Sequence, residues 1–148
     1  MLHVRRQLVN AVVQVLANLA TTGPRVHADR TWPVESGATP CLLVYARNER
    51  SGSDTMGGPS RRLRRELTLS VEGLVAETGD SDATLDAIAF EVETALAADP
   101  KLGGLCLDLQ ITSTDIAANA EGETRQGRIR LDFTIIYRTA ANAPGVTA

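Results

Sequence analysis

A chain of 148 residues with a 43% hydrophobic share is long enough to close one core that removes roughly 70% of the unfolded surface from water, which implies one domain. Its 15 Lys and Arg against 18 Asp and Glu give a net charge of −3. That is the wrong sign for a protein whose whole surface neutralises nucleic-acid phosphate, and the aromatics, Trp32, Tyr45, Phe90, Phe133 and Tyr137, leave little on which bases could stack. No apolar run approaches the roughly 20 residues of a membrane span, and Gln7, Asn10 and Gln14 interrupt what would be the apolar part of a signal peptide. The expected place is therefore the cytosol, or a particle assembled there, with no membrane partner. Cys41 and Cys106 lack a CxxC neighbour and fall in different strands, which favours reduced thiols over a disulfide or a ligand pair.

In chain order, Val4 to about Ala20 reads as a helix. Val4, Leu8, Val9, Val12, Val13, Val15, Leu16 and Leu19 spread over about half its circumference at roughly 100° per residue. That arc is wide for a helix with one neighbour, so the helix either sinks between a sheet and a second helix or turns part of its surface to another subunit. Gly23-Pro24 stops it, Arg25–Ala28 forms a short edge strand, and Trp32-Pro33 through Thr39-Pro40 is a turn-rich connection. Cys41–Arg47 is a strand. Residues 48–59, NERSGSDTMGGP, are too polar to pack and read as a mobile loop within a strand pair, either a solvated tip or a segment ordered by a partner.

Leu67, Leu69 and Val71 then alternate with Thr68, Ser70 and Glu72, the period of a strand with one buried face. Asp80, Ser81 and Asp82 supply capping oxygens and negative charge for a helix start, and the helix runs to about Ala98 with Leu85, Ile88, Ala89, Val92 and Leu96 on one side. Asp99-Pro100 and Gly103-Gly104 end it. Leu107, Leu109 and Ile111 begin a further strand, joined through a polar turn at Ala117–Gly127 to a last strand whose inward row is Ile129, Leu131, Phe133, Ile135 and Tyr137. The expected fold is α+β: a largely antiparallel or mixed sheet of four to five strands with two helices on one face, in one domain over residues 1–139, followed by a flexible tail at 140–148.

Chemistry-bearing constellations are missing. His3 and His27 have no carboxylate or Cys at ligand spacing, no GxSxG, GxxxxGK or GxGxxG occurs, and Asp80, Asp82, Asp86, Glu91 and Glu93 read as a solvated helix face. The expectation is no enzyme, no cofactor and no metal. Two surface features stand out instead. Arg61, Arg62, Arg64 and Arg65 form the densest charge in the chain, with Arg125, Arg128 and Arg130 on the same sheet; they suit solvent, the acidic helix of an adjacent subunit, or passing contact with DNA. Phe90 falls about 160° from the centre of its helix's apolar side, among Ala87, Thr94 and Ala97 and between Asp86 and Glu93. A large aromatic among small residues and acids has the form of an interface anchor. The expected subunit contact sets Phe90, Asp86 and Glu93 of one copy against Arg62, Arg64 and Arg65 of the next.

The order of elements, the helix segment TLDAIAFEVETALAADPKLGG and the closing strand RIRLDFTIIYRT resemble the tail terminator proteins of long-tailed phages, also called minor tail protein U. The resemblance runs from Arg5 to Thr139 and is one of element pattern, so no binding residue is carried over from it. It implies a virion component: a homo-oligomeric ring, in that family a hexamer, at the head-proximal end of the tail. Such a ring caps the tail tube protein, stops its polymerisation and offers a surface to the head connector or neck protein. Two other readings stay open. One is another neck component, a tail-completion or head–tail joining protein; the other is a small ligand- or nucleic-acid-binding domain.

Overall fold

The computed structural model describes residues 1–28, 39–76, 81–119 and 126–148. In chain order the elements are helix α1 (Val4–Leu16), strands β1 (Val26–His27), β2 (Cys41–Ser53) and β3 (Arg62–Ala76), helix α2 (Ser81–Ala97), a 3-10 turn (Leu102–Gly104), and strands β4 (Asp108–Asn119), β5 (Gln126–Ala140) and β6 (Ala143–Thr147). Expectations about the Trp32-Pro33 connection, Asp80 as a helix cap, Arg125 and the middle of the 117–127 turn lie outside the described residues.

The alternating sequences make the sheet. β3 and β5 pair antiparallel along their whole length, from Arg62 opposite Ala140 to Ala76 opposite Gln126. Because side chains change face at every residue, this register stacks Leu67, Leu69 and Val71 beside Ile135, Phe133 and Leu131 in one buried row. β2 pairs with β3, β4 with β5, and β1 runs parallel to β2, giving a mixed sheet in the order β1-β2-β3-β5-β4. Both helices bury their apolar sides on the same face, in a cluster that joins Val4, Leu8, Val12 and Leu16 of α1 to Leu85, Ile88, Val92 and Leu96 of α2 and to the inward rows of the strands. The fold is α+β, as the sequence implies, with six strands among the described residues where four to five were expected. Each fully buried Leu or Ile contributes about 1.5–3 kcal/mol.

Several boundaries differ from those read in the sequence. α1 stops at Leu16, because Ala17 is extended and Asn18 takes φ 73°, a left-handed conformation that Asn tolerates. Leu19 to Gly23 then close a turn of their own, with Gly23 N donating to Leu19 O at 2.8 Å. The expected mobile loop at 48–59 is strand in its first half: β2 continues through Asn48–Ser53, paired with Thr68 to Leu63 of β3, and the turn lies beyond Ser53. Backbone pairing, which does not require apolar side chains, carries this polar extension. The tail expected to be loose also carries structure, since β6 pairs with the end of β5 and Gln7 Nε2 on α1 donates to Gly145 O at 2.8 Å.

α2 packs closely on the sheet at Gly73. A Cβ there would stand 2.9 Å from Cγ2 of Ile88 and 3.0 Å from Cγ2 of Ile129, closer than carbon atoms pack, so only glycine lets the helix lie this low. Gly73→Val should therefore lift α2 and cost about 1–3 kcal/mol by overpacking, with Gly73→Ala between it and the parent. Thermal melting of the three proteins checks this, and equal melting temperatures would show that the helix does not rest on this strand position.

Candidate subunit interface

Two surfaces leave the body of the molecule. One is an arm, the outer part of the β2–β3 hairpin. β2 changes from buried to exposed along its length: Cys41 to Val44 are buried, whereas Arg47, Asn48 and Arg50 to Ser53 are exposed. A bulge between Ala46 and Asn48 adds one residue and reverses the facing of the strand beyond it, so Glu49 comes to lie opposite Leu67, on the helix side.

There Glu49 collects three donors. Arg5 Nη1 lies 2.7 Å from its Oε2 and Arg65 Nη1 3.2 Å, while the Tyr137 hydroxyl donates to Oε1. Arg65 Nε also donates to Thr139 Oγ1 at 3.0 Å. With side-chain exposures of 10% and 11%, the Glu49–Arg65 pair is an internal ion pair at the root of the arm. Burial, with the bond to Glu49, raises the Tyr137 hydroxyl well above its usual range. Burial, and then the charges of Arg5 and Arg65, lower His3, which keeps Nδ1 free to accept from Arg5 N at 3.0 Å and cap α1. Arg65, expected to reach a neighbour, is thus held within its own chain. Strand alternation explains the split: Arg65 faces the helices, whereas Arg64 faces away, where it pairs with Glu66 at 2.7 Å. Arg62 and Arg61 are exposed near the tip, and Arg138 Nε holds Asp54 at 2.6 Å.

The second surface is the outer side of α2. Phe90 is 71% exposed, with Asp86, Glu93, Thr94 and Ala97 exposed around it; the helical wheel places them correctly because the buried set Leu85, Ile88, Val92 and Leu96 fixes the rotation of the helix. Glu91 lies on one flank, where Oε1 accepts from Thr21 N at 2.9 Å beside the end of α1. Phe90, Asp86 and Glu93 therefore form one cluster. Arg62 and Arg64 do not join it within one chain, since Gly73 under Ile88 is eleven residues of β3 away from Arg62, about 35 Å of extended backbone.

Sequence reasoning missed the uncovered part of β4. Ile111 lies opposite Phe133 and Ile116 opposite Ile129, so both face the helix side, yet they are 37% and 54% exposed. Alternation reports which way a side chain points and not whether anything lies over it. Leu107 was also expected inward and is exposed at 44%.

The opposite face of the sheet carries a polar belt. Asp132 accepts from Ser70 Oγ at 2.6 Å, Ser113 Oγ at 3.1 Å and Arg47 Nη1 at 3.1 Å, and Tyr45 donates to Glu72. These bonds cross-link β2, β3, β4 and β5 and satisfy every acid they bury. Cys41 and Cys106 are free and buried; burial raises both, Cys106 to about 11, which leaves them protonated and unreactive at neutral pH. Among the described residues no group of three or more His, Cys, Asp or Glu is placed to hold a metal ion, and no helix is long and apolar enough to cross a membrane.

The sequence matches no protein-family model and no curated protein. The fold does have solved counterparts, 29 chains in all. Among them is a chain of the virion of a native gene transfer agent particle, with a TM-score of 0.53 and 19% identity over 90% of this chain and 94% of that one. At that identity the likeness is one of fold, and it takes in nearly the whole of both chains.

The internal root of the arm and the exposed positions of the two surfaces respond differently to mutation. Glu49→Ala strands the guanidinium of Arg65 in a nearly dry site and should cost about 3 kcal/mol. Arg62→Ala and Phe90→Ala change exposed side chains and should stay within about 0.5 kcal/mol of the parent. Denaturant midpoints measure all three, and a Phe90→Ala loss as large as that of Glu49→Ala would place Phe90 in the core.

Proposed function

We propose that this chain is a structural protein of a phage-like virion, acting as a tail terminator: a homo-oligomeric ring, hexameric in the family it resembles, that caps the tail tube and offers a surface to the head connector. The observation that carries this reading is the fold, shared over 90% of the chain with a component of a gene transfer agent virion. The surfaces agree with it. A subunit of a closed ring needs two different contact patches, one for each neighbour, and this chain offers a basic arm and an acidic, Phe90-bearing helix side that are too far apart to meet within one molecule. Such a role rests on interfaces and needs no reacting group, in keeping with thiols held protonated and buried acids already bonded.

Light-scattering mass, measured alone and with the tail tube protein, tests the proposal. The expected mass is about 95 kDa, six copies of the 15.8 kDa chain in a closed cyclic arrangement, and the ring should bind the end of preformed tubes and halt their growth. Phe90→Asp should lose the ring and keep the melting temperature. A ring that leaves tube growth unchanged would point to another neck component. A monomer that retards DNA at physiological salt would overturn the structural role in favour of nucleic-acid binding.

A further inference from the structure

β4 is the last strand of the sheet, and α2 covers it incompletely. Leu109 is buried, but further along the same row Ile111 and Ile116 are exposed, with exposed Thr114 between them, so the helix side of β4 is an open, largely apolar floor. The wall beside it is α2. Glu91 marks the α1 flank of that helix through its bonds to Thr21. Asp82, Asp86 and Glu93 lie on the other flank by the roughly 100° step of the helix, all exposed, with Phe90 at the crest. Floor and wall meet in a corner that is apolar below and acidic beside.

The arm has the converse character. Its tip carries Met56, 98% exposed, and Arg50, Arg61 and Arg62 are exposed along the two strands of the same hairpin. An arm with a flexible apolar side chain at its tip and exposed guanidinium groups along it fits an apolar floor bounded by carboxylates, and Arg side chains also lie well on an aromatic face such as that of Phe90. Within one chain the tip cannot reach the corner, because the tip lies beyond Arg62 and the corner lies beside Ile88 and Gly73. We infer that the arm of one copy seats its Met56 tip in the corner between α2 and β4 of the next copy. The contact is head-to-tail: arm and corner are different surfaces, so each subunit uses one of each, and repetition around an axis closes a ring. DNA is disfavoured as the occupant by the acidic wall, and the corner's apolar floor would remain bare beneath it. This assignment rests on the ring reading and supplies its interface.

Two charge-reversed proteins separate the inference from the reading. One carries Arg61→Glu and Arg62→Glu on the arm; the other carries Asp86→Arg and Glu93→Arg on the corner. All four positions are exposed, so both proteins should melt as the parent does. With the parent forming a ring, each variant alone should have the mass of one chain. Their equimolar mixture should regain the ring mass with the two chains alternating, since the parent arm of one meets the parent corner of the other and the reversed arm meets the reversed corner. The four substitutions combined in a single chain should restore the ring. If both variants still form full rings, the ring reading stands and the arm–corner contact is overturned. If each variant is monomeric but the mixture stays so, the two surfaces do not meet each other and the contact is likewise overturned. A monomeric parent would overturn the ring reading itself, and this interface with it.

Discussion

A helix advances about 1.5 Å per residue and a strand about 3.3 Å. The 17 residues of α2 therefore span about 25 Å, whereas the 15 paired residues of β3 and β5 span about 50 Å. This mismatch governs the molecule. Where α2 lies over the sheet, the inward row is Leu, Ile, Val and Phe, closing to the contact at Gly73. Past the end of that cover the same row continues as Arg65 and Tyr137, and the apolar core gives way to the ion pair and hydrogen bonds gathered on Glu49. Beyond these the hairpin runs into solvent as the arm. Ile111 and Ile116 of β4 are open for a different reason: they are level with Phe133 and Ile129, within the length of α2, but at the edge of the sheet beside it. The arm is thus a consequence of strands that outrun their helices, and the open part of β4 of a sheet wider than its cover.

The charges share the same division. A net charge of −3 describes neither surface, since the exposed Arg50, Arg61 and Arg62 lie on the arm and the exposed acids of α2 lie along its outer flank. Charges more than about 8 Å apart are largely screened at physiological ionic strength, so these two sets contribute little to each other within a monomer. They matter when a second molecule brings them into contact, where complementary patches steer encounter and fix register more than they add affinity. The apolar elements, Phe90, Met56, Ile111 and Ile116, are the parts of these surfaces that gain by leaving water.

Much of this was legible in the sequence, for a physical reason. The inward rows of β3 and β5 and the rotation of α2 were readable because burial on one face imposes a period, and Phe90 could be placed once the buried side of the helix was known. The strand character of Asn48–Ser53 was not readable: a strand held by backbone pairing over an uncovered stretch needs no apolar period. The bulge at Arg47 had no sequence signal either, and it alone turns Glu49 inward. The arginine cluster misled in an instructive way. Four basic residues dense in sequence are divided by strand alternation, so that Arg65 becomes internal while Arg64 and Arg62 stay available. For β4 the direction of Ile111 was read correctly and its burial was not, because cover depends on where a helix from another part of the chain lies.

An uncovered edge strand raises the question of why the chain should not simply add sheet to sheet. β4 ends the sheet with 12 residues, and an edge of that length is a template for open-ended pairing unless something blunts it. Two features do so. A bulge between Ile111 and Ser113 breaks the regular spacing of free backbone groups, and Asp108 and Asp115, exposed on the far side from the helices, add charge that a second identical edge would have to meet. Backbone pairing between copies is thereby made costly, while the side-chain corner above the same strand is left apolar and accessible. Association is directed away from the edge, where it would propagate without limit, and towards a contact between unlike surfaces whose geometry can close.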